Sequence, residues 1–191
     1  MVNTKTTCKV AFKEWAVAVD ALIDGEQIML LRKGGIREDS KHFTVIHDNF
    51  LLYPTFEHQS LELLKPLYQS KIQPYQQPNV QTESVIFNTW AEVVEVIETT
   101  DHSTLQKLND YHIWTANYAE SRLRWKPNYP LSIMLLKVSK LDKPISVPYK
   151  SEYGGCKSWV ELEQPLDIAS TSVMSEQKLQ DTITQIKNTL K

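Results

Sequence analysis

Apolar positions follow two different periods along the chain, which predicts a mixture of helices and strands. In "AFKEWAVAVDALIDG" the apolar side chains recur at helical spacing, so we expect a helix over residues 12–23 that ends before Gly25. "EQIMLLRK" is a short apolar run before a glycine pair, which is typical of a buried strand. "FTVIHDNFLLYPT" predicts a hairpin that turns at Asp48 and Asn49, with Pro54 closing its second strand.

The middle of the chain predicts a helix, a loop, a strand and further short helices. "TFEHQSLELLKPLY" favours a helix capped by Thr55 that ends near Pro66, and the polar "QSKIQPYQQPNVQTE" favours a loop. "SVIFNTWAEVVEVIET" is rich in β-branched residues and predicts a strand, bent near Asn88. Asp101 then caps one or two short helices in "DHSTLQKLNDYHIWTANYAESRLRW".

The last third predicts two strands, "PLSIMLLKVSKL" and "KSWVELE", before a helix capped by Ser175. The apolar stripe of this helix consists of Leu179, Ile183, Ile186 and Leu190. Because helices and strands mix without strict alternation, we expect an α+β fold, a small β-barrel or a mixed sheet with peripheral helices. We expect one domain over residues 1–165, with the helix of residues 166–191 packed on it; docking of that helix on a second copy is the alternative.

Composition limits the class of protein. A chain of 191 residues with 41% hydrophobic content can bury one good core. No apolar run approaches the roughly 20 residues of a membrane span, and the first residues lack the apolar run of a signal peptide. We therefore expect a cytoplasmic protein with no membrane partner. Cys8 and Cys156 lie far apart, so we expect reduced thiols, no metal and no cofactor.

Charge is unevenly distributed along the chain. Residues 57–120 contain nine acids and three bases, whereas residues 122–157 contain eight bases and two acids. The net charge of −2 hides this asymmetry. A concentration of positive charge favours an anionic partner.

The stretch "GEQIMLLRKGGIRED" is a candidate anion-binding site. It places Arg32 and Lys33 before Gly34 and Gly35, with Arg37 just beyond. Glycines allow close backbone approach, and free N–H groups beside cations suit a phosphate. The alternative is a tight turn with solvated charges.

The stretch "HIWTANYAESRLRWKPNYP" interleaves aromatic and cationic residues. Nucleic-acid surfaces use this mixture, because cations bind phosphates while aromatic rings stack on bases. Arg122, Arg124 and Lys126 would then contact phosphates, and Trp114 or Trp125 would stack on a base. The alternative places the Trp residues in the core and the Arg residues on a solvated face.

Two further stretches contain reactive side chains. Glu57 and His58, with His47, could serve a metal-dependent nuclease or other hydrolase, although adjacent residues on a helix diverge by about 100°. Cys156 follows a Gly-Gly pair and precedes Lys157, which could make its thiol nucleophilic. The alternative is a buried cysteine that enters a strand.

Four blocks of the chain resemble a bacterial family, domain of unknown function 1802. They are "FKEWAVAVDALIDGEQIMLLRKGGIRE", "FLLYPTFEHQ", "RLRWKPNYPLSIMLLKV" and "YGGCKSWVEL", in this order from Phe12 to Leu162. The final helix lies outside them. The resemblance implies an association with restriction–modification or defence and a separate nuclease partner.

A second pattern resembles the Gly-x-Lys-x-x-Glu-x-Arg signature of ASCH domains, which are PUA-like barrels. Gly25 and Arg32 stand at matching positions, whereas Gln27 and Leu30 replace the Lys and the Glu. These departures put a hydrolase activity of the ASCH kind in doubt and leave a binding pocket open.

Together these patterns predict a non-catalytic protein that binds nucleic acid, DNA rather than RNA, and recognises modified or foreign DNA. The enzyme alternative is the metal-dependent nuclease that uses Glu57 and His58. A homodimer through the C-terminal helix stays open.

Overall fold

The computed structural model describes residues 6–33, 45–56, 59–75, 83–125 and 129–191. These residues form a sheet and five α-helices. The strands are β1 Thr6–Trp15, β2 Met29–Arg32, β3 Asn49–Thr55, β4 Ser84–Thr99, β5 Leu131–Pro148, β6 Trp159–Ile168 and β7 Ser170–Ser172. The helices are α1 Ala16–Ile23, α2 Pro66–Gln69, α3 His102–Lys107, α4 Ala116–Arg124 and α5 Glu176–Leu190. Short 3₁₀ turns cover Leu61–Leu63, Ser70–Tyr75, Asn109–Tyr111 and Ser151–Tyr153.

The seven described strands form one mixed sheet in the order β2-β5-β4-β3-β1-β6, with β7 paired to β5. The β1–β3 pair is parallel, and the other pairs are antiparallel. β6 pairs with β1 while β7, one residue later, pairs with β5. Within the described ranges the pairing path ends at β2 and β6. The expected α+β class is thus confirmed, as a mixed sheet and not as a closed barrel.

The start of the predicted first helix is wrong, because residues 12–15 belong to β1. The helix α1 begins only at Ala16. Near its end β1 is buried on both faces, with Ala11 in one hydrophobic cluster and Phe12 in the other. A strand of that kind carries an apolar run instead of a clean alternation, and here the run coincides with helical spacing.

Four predictions in the middle of the chain are also wrong. Residues 45–48 form no strand, and β3 pairs with β1 and β4 in place of a hairpin partner. Thr55 lies in β3 instead of capping a helix. Pro66 begins α2, since its missing N–H and fixed φ suit a first helical position. Residues 70–75 are helical where a loop was expected.

Several other predictions are confirmed. β2 occupies the apolar run before the glycines, and the ladder between β4 and β5 shifts register between Phe87 and Thr89, beside the expected bend. The carboxylate of Asp101 accepts from the N–H of Ser103 at 3.0 Å and caps α3. The hydroxyl of Ser175 accepts from the N–H of Lys178 at 3.3 Å and caps α5.

Helix α5 packs on the main hydrophobic cluster. Its buried residues Leu179, Ile183 and Ile186 belong to the same cluster as α1 and β2. Full burial of such a side chain stabilises the fold by about 1.5–3 kcal/mol. Among the described residues, no helix has both the length and the apolar content of a membrane span.

Candidate functional site

A cleft of about 270 Å³ opens where the end of β1 meets β2, α4 and the turn before β6. Four of its described lining residues are cationic and one is acidic. We call it the cationic cleft. Its lining residues are Lys13, Glu14, Trp15, Arg32, Thr55, Arg122, Gly155, Cys156, Lys157 and Ser158.

Strand pairing brings the floor of the cleft together. The parallel β1–β3 register places Trp15 opposite Thr55, and the hydroxyl of Thr55 donates to the carbonyl of Glu14 at 3.0 Å. Arg32 is the last residue of β2, which is not a neighbour of β1 in the sheet. Its guanidinium nevertheless donates through Nη2 to the carbonyl of Lys13. This bond links the ends of β1 and β2.

Arg32 is held on several sides. Its guanidinium carbon lies 4.4 Å from the centroid of the Phe12 ring, a cation–π geometry. Nη1 lies 3.8 Å from Oε2 of Glu14, and Nε finds no hydrogen-bond partner among the described residues. A planar, delocalised cation fixed in this way is suited to an anionic group.

Glu14 is the one acidic residue of the described cleft lining. Its side chain is 3% exposed. Oε1 accepts from the backbone N–H of Trp15 at 2.8 Å, whereas Oε2 has no hydrogen-bond partner in the described part of the chain. Buried polar atoms are nearly always hydrogen-bonded, so this oxygen requires an explanation.

The turn before β6 forms the opposite wall. The backbone N–H of Lys13 donates to the carbonyl of Ser158 at 2.8 Å, and its ammonium donates to the carbonyl of Gly155 at 3.1 Å. Gly155 has a φ of 79°, a conformation that favours glycine. The ammonium of Lys157 donates to the carbonyl of Glu152. The turn is therefore bonded to Lys13, which comes from β1.

The two cysteines are free thiols, as expected. Cys8 is buried, but Cys156 is exposed on the cleft wall. The interpretation of Cys156 as a buried residue entering a strand is therefore wrong, since β6 begins only at Trp159.

Arg122 reaches the cleft from the last turn of α4. Its guanidinium carbon lies 5.1 Å from the centroid of the Tyr118 ring. That ring in turn stacks on Trp114, at 5.0 Å between centroids and 12° between planes. Burial raises the pKa of the Tyr118 hydroxyl, against the lowering effect of Arg122. The buried face of α4 thus provides a support for Arg122.

Two other residues predicted to bind the ligand are placed differently. Lys33 is 5% exposed, and its ammonium donates to the carbonyl of Leu123. Burial lowers the pKa of Lys33. Trp114 is fully buried, so it presents no face on which a base could stack. Both predictions are corrected for the same reason: these side chains are parts of the interior.

The remaining predicted residues divide into two groups. Arg124 has a side chain that is 79% exposed and pairs with Glu120 at 3.3 Å, outside the cleft lining. Trp125 is 36% exposed at the end of α4, and the ring of His47 lies 5.2 Å from that of Trp159. The other predicted site residues lie outside the described residues: Gly34, Gly35, Arg37, Glu57, His58 and Lys126.

Sequence reasoning missed Lys13, Glu14, Thr55 and Lys157. Lys13 and Glu14 lay in the presumed helix, and Lys157 was considered only for its effect on Cys156. The sequence signal for these residues is a lysine in each of two segments, "FKEW" and "GGCKS". The antiparallel pairing of β1 with β6 brings the two segments together.

His112, in the segment predicted to bind nucleic acid, lies in the interior. Neither ring nitrogen has a hydrogen-bond partner among the described residues. Burial, with a contribution from the nearby Lys65 ammonium, lowers the pKa of His112 to about 4. The ammonium of Lys65 donates to the carbonyl of His112 at 2.6 Å.

Comparison with known families agrees with the resemblance of the four sequence blocks. A family model described as "Domain of unknown function (DUF1802)" matches residues 11–185, farther than the blocks that end at Leu162. No curated protein matches. The solved structure of ASCH from Zymomonas mobilis is 11% identical, with a TM-score of 0.44, over 92% of this chain and 93% of that chain. A single-substitution variant of it is similar at a TM-score of 0.45 and 11% identity, over 92% and 94% of the two chains.

Proposed function

Since this chain belongs to the family described as domain of unknown function DUF1802, we propose its function from the cationic cleft: the cleft binds phosphate groups of a nucleic acid. The observation that carries this proposal is the convergence of Lys13, Arg32, Arg122 and Lys157, which come from four separate parts of the chain. A concave surface lined by one sign of charge concentrates field lines and attracts the opposite charge.

The positions of these cations are partly fixed by contacts within the protein. Arg32 lies against Phe12 and bonds to a backbone carbonyl, and Arg122 lies against Tyr118. Side chains that are already ordered lose less conformational entropy when a ligand binds. This organisation supports a binding site over a collection of solvated charges.

The neighbourhood of Arg122 supports a nucleic acid over a small anion. Trp125 follows Arg122 by three residues at the end of α4, and residues at that spacing are neighbours on a helix surface. A cation beside a partly exposed aromatic ring can hold a phosphate while the ring stacks on the adjoining base. Arg122 and Lys157 also belong to the part of the chain that is rich in positive charge, residues 122–157, which contains eight bases and two acids.

A finer proposal is that the nucleic acid is DNA and that the protein recognises a modified base in it. A separate nuclease would then be its partner in restriction–modification or defence. This finer proposal rests on the resemblance of the four sequence blocks, and the choice of ligands in the experiment tests it.

The test is a salt titration of binding to unmodified duplex, methylated duplex and single strands. Binding through phosphates gives a linear fall of log K with log salt concentration. Arg122→Ala should weaken binding to all sequences and reduce the slope by about 1. A preference for the methylated duplex would support the finer proposal, and equal binding of all ligands would reject it.

Arg124→Ala is the matched control, because Arg124 lies two residues away on the same helix but outside the cleft lining. It should leave both the affinity and the slope nearly unchanged. Equal effects of the two variants, or no binding even at low salt, would overturn the proposed function.

A further inference from the structure

The carboxylate of Glu14 is an unusual component of a site for anions. It is almost completely buried, yet it lines a cleft whose other charged residues, among those described, are all cationic. A negative charge at this place repels a phosphate. Its presence therefore points to a role other than attracting the phosphate itself.

Two buried atoms of the cleft floor lack hydrogen-bond partners among the described residues. They are the acceptor Oε2 of Glu14 and the donor Nε of Arg32. The 3.8 Å between Nη1 of Arg32 and Oε2 makes an ion pair, but it is too long for a hydrogen bond. Arg32 thus neutralises the charge of the carboxylate but leaves Oε2 without a hydrogen bond.

We propose that Glu14 determines specificity, by accepting a hydrogen bond from a neutral N–H or O–H group of the ligand that lies beside the bound phosphate. This inference rests on the proposed function of the cleft. Arg32 keeps its position: the phosphate of the ligand engages the guanidinium, and the donor of the ligand supplies the hydrogen bond that Oε2 lacks.

This arrangement explains how the cleft discriminates. A ligand with phosphate alone shares the positive charge of Arg32 with the carboxylate and leaves Oε2 without a hydrogen bond, which is unfavourable. A ligand that carries a donor at the right distance satisfies both groups. In a nucleic acid, the donor comes from the sugar 2′-hydroxyl or from a base amino group, since carboxylates accept from such groups.

The experiment compares three oligomers of equal length and charge: an abasic strand of tetrahydrofuran phosphates, which has no donor on the sugar, DNA and RNA. Each is titrated against the full chain, against Glu14→Gln and against Glu14→Asp. The side chain of Gln can still accept from the N–H of Trp15, but it presents an amide donor where Oε2 stood. Asp keeps the charge on a side chain that is one methylene shorter.

Glu14→Gln should bind the abasic strand more tightly and the donor-bearing strands less tightly, which changes the ratio of affinities by roughly tenfold. Glu14→Asp should also lose the preference if the hydrogen bond matters, and keep it if only the charge matters. If the unsubstituted chain binds DNA more tightly than the abasic strand, the donor belongs to the base. If it binds RNA more tightly than DNA, the donor is the 2′-hydroxyl.

A Trp125→Ala background removes base stacking as an alternative source of preference. It also tests the proposal without altering Glu14: in this background, equal affinity for all three oligomers would overturn the proposal. The same holds if Glu14→Gln changes all three affinities by one common factor. Absence of binding by the unsubstituted chain would instead reject the proposed function itself.

Discussion

The segment from His112 to Trp125 consists of two halves with opposite surroundings. In the buried half, His112, Trp114 and Tyr118 lie in the main hydrophobic cluster or against it. In the surface half, Arg122 lines the cleft, whereas Arg124 points to solvent. Aromatic and cationic residues that alternate in the sequence thus differ in burial, because His112 and Trp114 precede α4 in the interior, and α4 turns Tyr118 inward but Arg124 to solvent.

The comparison shows what interleaved residues can establish. Interleaving predicts that aromatic and cationic residues share a segment, but not that both kinds contact a ligand. Here a buried aromatic residue supports a cationic one, through the contact of Arg122 with Tyr118. Under the proposed function, a residue that contacts the ligand is thus positioned by a residue that the ligand does not reach.

The largest expected effect is a loss of folding stability on substitution in the buried half. Trp114→Ala removes a fully buried indole, and such substitutions cost about 3–5 kcal/mol. Denaturant unfolding measures the loss. Trp125→Ala is the control at the surface half and should cost much less. A similar cost for both would remove the distinction between the two halves.

The next effect is a loss of stability in acid that originates at His112. The pKa of this residue is lowered from 6.5 to about 4 in the folded chain. Between these values the unfolded chain binds more protons, so the free energy of unfolding falls as the pH falls from 6.5 to 4, by about 3 kcal/mol in total.

Unfolding measured across this pH range checks the prediction. His112→Leu should flatten the dependence, since the variant has no group to protonate there. His102→Gln is the control, because the side chain of His102 is 40% exposed and pairs with Glu120 at 2.8 Å. An acid dependence that survives in His112→Leu would assign the effect to other groups.

A smaller effect on oligonucleotide affinity comes from the contact between the two halves. Tyr118→Leu removes the ring beneath Arg122, and a cation–π contact of this kind contributes about 0.5–1 kcal/mol at an exposed site. Oligonucleotide affinity should therefore fall a few-fold, measured where the variant is fully folded. Tyr118→Phe keeps the ring and should bind more tightly than Tyr118→Leu. Equal binding by these two variants would mean that the ring does not position Arg122.

The smallest effect concerns Arg124 and its partner. Glu120→Gln breaks an exposed ion pair with Arg124, and such pairs contribute about 0–1 kcal/mol. Thermal unfolding and oligonucleotide affinity should both stay close to those of the unsubstituted chain. A clear change in affinity would mean that the interface extends beyond the cleft to Arg124, which would remove the contrast between Arg122 and Arg124.

Much of the fold follows from local patterns. The strands β2, β4 and β5 and the capped helices α3 and α5 were predictable, because their periodicity and capping residues lie within a few positions of one another. Strand β1 was not, since burial near its end on both faces imitates helical spacing. Pro66 was misassigned because proline is compatible with the first turn of a helix as well as with its end.

The candidate site was predictable only in part. Arg32 and Arg122 stood out beside glycines or aromatic residues. Lys13, Glu14 and Lys157 did not, because tertiary contacts join them to the site: the Lys13 ammonium bonds to Gly155, 142 positions away. The shorter link from Arg32 to the Lys13 carbonyl spans 19 positions and also depends on how the chain folds.

The hydrogen bond from Lys13 to the carbonyl of Ser158 has a consequence for the order of events during synthesis. One edge of β1 is paired by β6, so it stays open until residues near position 160 have left the ribosome. An apolar strand with an open edge is prone to aggregation during this interval. The cleft is therefore completed only after β6 has paired with β1.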